Sequence, residues 1–169
     1  MGTKIEDVQH REAMKKIKEL ADSADICLFT TNLTELPLSA RPMSRQKIDD
    51  DGTMWFFSDK TSHKNEHIMA DNRVQLFFSN RNSSEYLSIF GTAEIIRDTA
   101  KAKELWSPIA KTWFNDGPED ASLTIIKVTP LDGYYWDTKD GKFVTLLKIA
   151  AGAIAGKEFD GSVEGKITP

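Results

Sequence analysis

The stretch from Leu38 to Lys64, LSARPMSRQKIDDDGTMWFFSDKTSHK, limits the fold more than any other part of the chain. It spells two β-strands joined by an acidic turn, then a helix start. On the first strand, alternation puts Arg41, Met43 and Arg45 on one face and Pro42 and Ser44 on the other. The second, Met54-Trp55-Phe56-Phe57, is apolar on both faces, the pattern of a strand buried on both sides. Between them, Asp49-Asp50-Asp51-Gly52 supplies the Asp-Gly pair that hairpins favour, because glycine tolerates positive φ. Ser58-Asp59-Lys60-Thr61 offers capping groups, and Thr61 to Asp71 is predicted as a short helix. Ser62, His63 and Lys64 open that helix, so strand and helix gather basic side chains at one point. Orphan N–H groups and the helix dipole favour negative charge there, which points to an anion site.

Around this unit the pattern stays mainly β. An amphipathic helix is expected from about Ile5 to Ala21, with Val8, Met14, Ile17 and Leu20 near helical spacing. Strands are expected at Ile26 to Thr31, Arg73 to Ser79, Glu85 to Arg97, Leu123 to Val128 and Gly133 to Trp136. Gly91 marks a bulge or bend in the longest of them, and Thr129-Pro130 separates the last two. Asp98-Thr99 caps a second helix running to Trp113; Phe143 to Ala155 is predicted as a third, followed by a loose tail. Hairpins with few helices fit a closed or partly closed antiparallel barrel better than alternating β-α units. No linker or repeat is visible. Residues 1–169 therefore read as one domain, with the barrel over about 22–140 and a C-terminal helix and tail over 141–169.

Composition narrows the function classes. A net charge of -4 argues against a nucleic-acid partner. The single cysteine, Cys27, excludes an internal disulfide and sits in an apolar run, as a buried inert thiol does. His63 and His67 are four apart, but Lys64-Asn65-Glu66 between them breaks the His-Glu-x-x-His order, so no metal is expected. The charged N-terminus lacks the apolar core of a signal peptide, and the run Ile149 to Ala155 is too short to span a bilayer. A cytoplasmic protein without membrane contact is the expectation.

Phe57-Ser58-Asp59-Lys60-Thr61-Ser62-His63-Lys64, following a strand with Arg41-Pro42-Met43, resembles the flavin-mononucleotide (FMN) site of the pyridoxamine 5'-phosphate oxidase-like split barrels, and within them the general stress protein 26 group. The resemblance runs from about Ile5 to Trp136. It includes the WFFSD strand, the loop Trp113 to Asp120 and the pair Tyr135-Trp136. It implies a mainly β, α+β fold: a six- to seven-stranded antiparallel split β-barrel with peripheral helices. It also implies a homodimer with FMN at the subunit interface. By the same resemblance Arg41 would sit beside the flavin and its phosphate arm, and Pro42 and Met43 would line the ring. Phe57 and Ser58 would border ring and ribityl chain, His63 and Lys64 would grip the phosphate, and Ser62 beside them would be among the cofactor-binding residues. Trp113 and Trp136 would cover the ring from the second subunit. His63 stands where the oxidases usually carry Arg, which removes a planar fork and a permanent charge.

Two departures bear on activity. The oxidases place a Gln on the long strand where this chain has Tyr86-Leu87, and an Arg-x-His element late in the chain where this one has Asp137-Thr138-Lys139-Asp140. The cofactor half of the site is present and the vitamin half absent, so pyridoxamine-phosphate oxidation is not expected.

Simpler readings stand beside these. Arg41 and Arg45 also suit solvated edge-strand charges. Trp113 and Trp136 also suit core or interface, as Trp55 and Trp106 do. The carboxylates of Asp49 to Asp51, and of Asp116, Glu119 and Asp120, suit solvated turns. The function expected is that of an FMN-dependent oxidoreductase of unknown substrate. The alternative is a flavin-binding buffer or sensor without turnover.

Overall fold

The computed structural model describes residues 4–138 and 162–169. Their strands are β1 (Lys4–Ile5), β2 (Val8–Gln9), β3 (Ile26–Thr31), β4 (Ser39–Ile48) and β5 (Met54–Asp59), then β6 (Arg73–Asn80), β7 (Glu85–Ile96), β8 (Leu123–Thr138) and β9 (Ser162–Thr168). The helices are α1 (His10–Asp22), α2 (His63–Ala70) and α3 (Thr99–Leu105).

The Asp-rich hairpin forms where its residues place it: β4 and β5 pair antiparallel, and Gly52 holds the turn at φ +80°. Met54 to Ser58 are buried throughout, because β5 lies between two neighbours and is covered on both faces. The order β8-β5-β4-β3-β6-β7 closes on itself through β7–β8 pairing, giving a six-stranded antiparallel barrel. Strand β9 extends β8, and β1 and β2 pair parallel with β9. This is a split barrel with outer strands.

Inward residues of alternating strands fill the barrel, among them Phe29, Phe56, Leu76, Ile89 and Ile126. Phe29 and Phe56 meet edge to face at 5.2 Å. A second, smaller core under α3 joins Trp55, Phe57, Leu105, Phe114 and Ile125. Helix α1 buries Ala13, Ile17, Leu20 and Ala21 on one stripe and packs at the hairpin-turn end, where Met14 reaches Gly52. Arg45 ties its C-terminus down, its guanidinium donating to the carbonyls of Ala21 (2.7 Å), Asp22 (2.8 Å) and Ala24 (3.3 Å). Helix α2 follows β5 and lies at the opposite end of the barrel, with Ile68 in the main core.

Four expectations are corrected. The first helix begins at His10 rather than near Ile5, because the residues before it pair with β9. The tail is not loose: Ser162–Thr168 is strand β9, with Val163 and Ile167 buried. The second helix stops at Leu105, since Pro108 disfavours helical backbone before it, and a 3₁₀ turn covers Pro108–Thr112. The last two strands are one, β8, which carries Pro130 through a register shift opposite Phe90 and Gly91. The helix expected over Phe143 to Ala155 lies outside the described residues. Gly91 does mark a bulge. A Cβ there would lie 2.3 Å from the Thr129 carbonyl oxygen. Gly91→Ala should therefore lower unfolding stability by about 1–3 kcal/mol in urea denaturation. An unchanged midpoint would show that the bulge has room to spare.

Candidate functional site

Arg41 and Lys64 stand at the α2 end of the barrel, near enough for the charge of Arg41 to act on Lys64. Arg41 lies opposite Phe29 in the β3–β4 register, so its side chain projects to the inner side of the strand at the barrel's rim. Its guanidinium Nη1 donates to the Phe29 carbonyl (3.2 Å) and to Thr31 Oγ1 (2.7 Å), and Nη2 donates to Ser39 Oγ (2.6 Å). All three acceptors are neutral. Lys64, in the first turn of α2, is half-buried; burial pushes its pKa below the usual lysine value, and the charge of Arg41 pushes it further down. Asp59 opposes this, but its carboxylate is taken up by the Thr61 N–H (2.7 Å) and hydroxyl (2.6 Å). Burial lowers Arg41 as well, which stays charged at any ordinary pH. Among the described residues neither cation forms an ion pair.

Ser62 is the N-cap residue of α2, yet its hydroxyl makes no capping bond; its Oγ is buried and without a partner among the described residues. A buried hydroxyl with no partner costs free energy unless something else accepts its proton. Behind it lies a buried polar network, in which Asn65 Oδ1 is likewise without a partner among the described residues. Asn65 Nδ2 donates to Thr124 Oγ1 (2.9 Å), Thr124 donates to the Ser58 carbonyl (3.0 Å), and the Ser58 hydroxyl lies 2.8 Å from Thr124 Oγ1. This anchors the start of α2 to β5 and β8. On the other side, Thr31 Oγ1 is 2.9 Å from His67 Nδ1, linking β3 to α2. The whole is a rigid rim with two like charges and a free hydroxyl, a combination that an anion would stabilise.

The other expected site residues are dispersed. Pro42 is exposed on the outer face of β4, and Met43 is buried in the main core. Phe57 belongs to the second core, its ring 5.8 Å from Trp106 and 6.2 Å from Phe114. Ser58 lies in the buried network already described. His63 projects into solvent and faces Glu66 at 3.1 Å. Trp113 is 78% exposed at the end of the 3₁₀ turn. Trp136 is 41% exposed on the outer face of β8, its ring tilted against that of Tyr134 at 4.9 Å and opposite Tyr86 in the register. Arg45 is occupied by helix capping, which separates it from Arg41. Cys27 is buried, and burial pushes its thiol up to about 12, so it stays protonated and unreactive.

Thr31, Ser39, Asn65 and His67 escaped the sequence reading. Asn65 carries a legible signal: it shares with Ile68 the buried face of α2, where a polar residue needs partners.

The family model for "pyridoxamine 5'-phosphate oxidase like" proteins matches residues 12–160, most of the chain. The chain belongs to that family. A structure described as a candidate general stress protein 26 from Jannaschia sp. CCS1 superposes with a TM-score of 0.76 at 23% identity, over 92% of this chain and 95% of that one. A general stress FMN/FAD binding protein from Xanthomonas citri superposes with a TM-score of 0.63 at 25% identity, over 76% of this chain and 89% of that one. Protein bli-3 of Neurospora crassa is 26% identical over 110 residues, 60% of this chain and 53% of that protein. The chain thus spans about half the length of that curated relative. Pyridoxamine 5'-phosphate oxidase-like relatives of this kind include general stress and flavin-binding proteins.

In this member of the family the rim should cost stability when nothing is bound to it. Lys64→Met, which removes a desolvated and repelled charge, should leave unfolding stability unchanged or raise it by about 0.5–1 kcal/mol in buffer without phosphate or flavin. A loss above about 1 kcal/mol would mean that Lys64 has a structural partner.

Proposed function

We propose that the chain binds FMN, with the phosphate held at the rim formed by Arg41, Lys64 and Ser62, and acts as a flavin-dependent oxidoreductase. The carrying observation is the pair of neighbouring cations that, among the described residues, form no ion pair, next to a buried hydroxyl at a helix N-terminus that has no partner among those residues. A terminal phosphate monoester carries about −1.5 to −2 charges and three acceptor oxygens, matching that donor set. A pyrophosphate spreads less charge per phosphorus, so FMN fits better than FAD. Family membership and the flavin-binding relative from Xanthomonas citri support the same cofactor. Bound FMN supplies hydride and electron transfer; the chain supplies binding and orientation.

Arg41 enters that site pre-oriented, Lys64 contributes a point charge, and Ser62 donates its O–H. His63 lies at the surface beside Glu66, and in this reading it takes part only by turning toward the phosphate.

The working unit in this reading is a cytoplasmic homodimer. Ile26, Leu28, Phe77, Tyr86 and Trp136 are exposed side by side on the outer face of β3, β6, β7 and β8, a larger apolar surface than isolated exposed residues make. A second copy seated there would cover it, and Trp113 and Trp136 would become walls for the flavin ring.

An FMN titration followed by visible absorbance and fluorescence quenching tests the proposal. FMN should bind the native chain, and Arg41→Ala and Lys64→Ala should each weaken it by roughly 10-fold or more. Binding favours protonated Lys64, so affinity should fall as pH rises, beginning below the usual lysine value of 10.5 because burial and Arg41 lower this pKa. Reduced nicotinamide or another donor should then bleach the bound flavin, with recovery in air. Binding without bleaching by any donor would favour the buffer or sensor reading, and affinity indifferent to both substitutions would remove the phosphate assignment.

A further inference from the structure

We infer that Thr31 and His67 are positioning residues for the phosphate end of the site, forming a hydrogen-bonded relay in which His67 holds Thr31 and Thr31 holds Arg41. The inference rests on the reading that Arg41 meets the flavin phosphate, and it assigns the residues that set how well Arg41 does so.

Arg41 has a long side chain on a strand, and a free arginine loses much rotamer freedom when it engages a ligand. Here three neutral acceptors fix it beforehand. The Phe29 carbonyl is backbone, and Ser39 sits two residues away on the same strand. Thr31 differs from both. It is fully buried on the inner face of β3, where a valine of the same shape would fill the space without a hydroxyl to satisfy. That hydroxyl accepts from Arg41 Nη1 at 2.7 Å. Its other contact is His67 Nδ1 at 2.9 Å, a hydrogen bond that runs in either direction according to the imidazole tautomer, since the hydroxyl has one proton to give and a second lone pair to offer.

The relay also crosses elements. Arg41 lies on β4, Thr31 on β3, and His67 on α2, one turn after Lys64. Lys64 and His67 ride on the same short helix, so the bond that aims Arg41 also sets where the helix start stands relative to it. One hydrogen-bonded chain thus ties Arg41 to the helix that carries Lys64.

The test compares FMN with riboflavin, which has the same ring and ribityl chain but no phosphate, as titrants of the full-length protein. The native chain should bind FMN more tightly, and Arg41→Ala should abolish most of that preference. Thr31→Val, which keeps shape and removes both hydrogen bonds, should lower FMN affinity by about 10-fold while leaving riboflavin affinity unchanged. His67→Leu should lower it by roughly 3- to 5-fold in the same selective way. Thr31→Ser and His67→Asn, which restore the hydroxyl and a hydrogen-bonding group near the Nδ1 position, should recover most of the preference. If Thr31→Val and His67→Leu leave the FMN-to-riboflavin ratio at its native value, or weaken both ligands equally, the relay is merely structural and the inference falls. If the native chain itself shows no preference, or Arg41→Ala does not reduce it, the phosphate assignment falls and the relay with it.

Discussion

The fold depends on β8 pairing along both of its edges. Its first half bonds to β5, its second half to β9, and β7 runs beside most of its length on the other edge. That arrangement closes the barrel and leaves β9 to carry the N-terminal strands. A sixteen-residue strand can do this only by bending, and Pro130 opposite Gly91 is where it bends. Closure fixes the two ends of the barrel as different environments. One end is covered by the apolar stripe of α1; the other carries the polar rim and α2.

At that polar end the molecule holds an arrangement it does not need for folding. Two cations stand near each other in a partly desolvated rim, with uncharged acceptors around one and a carboxylate already occupied near the other. Like charges in that setting raise the free energy of the empty protein. A built network behind them, from Asn65 through Thr124 to Ser58, keeps the helix start from relaxing away. Destabilising charge held in place by rigid support is the basis of the anion site proposed here.

Much of this is legible in the sequence, and what is not has physical causes. The hairpin, the buried strand and the short helix follow from local rules: period-two alternation, an Asp-Gly turn, capping residues. That Arg41 and Lys64 come near each other is legible because the strand and helix that carry them are separated by one short hairpin. Arg45, on the same face and just as basic, could not be told from Arg41, since its role depends on where the end of α1 comes to rest. The extent of β8 is hidden by Pro130, which breaks a strand unless a bulge accommodates it, and the bulge, at Leu131 beside it, shows only once β7 is paired against it. Strand β9 escaped because its partner β8 and the residues preceding α1 are distant in sequence. Thr31 and His67 look ordinary alone; only the pairing of β3 with β4 and the docking of α2 bring them to Arg41.

The most direct measurement is a crystal structure of the protein grown or soaked with FMN. The account predicts the phosphate within hydrogen-bond reach of the Arg41 guanidinium, Lys64 Nζ and Ser62 Oγ, with that hydroxyl now partnered. Flavin bound with its phosphate elsewhere, and the Arg41–Lys64 rim left to water, would contradict it.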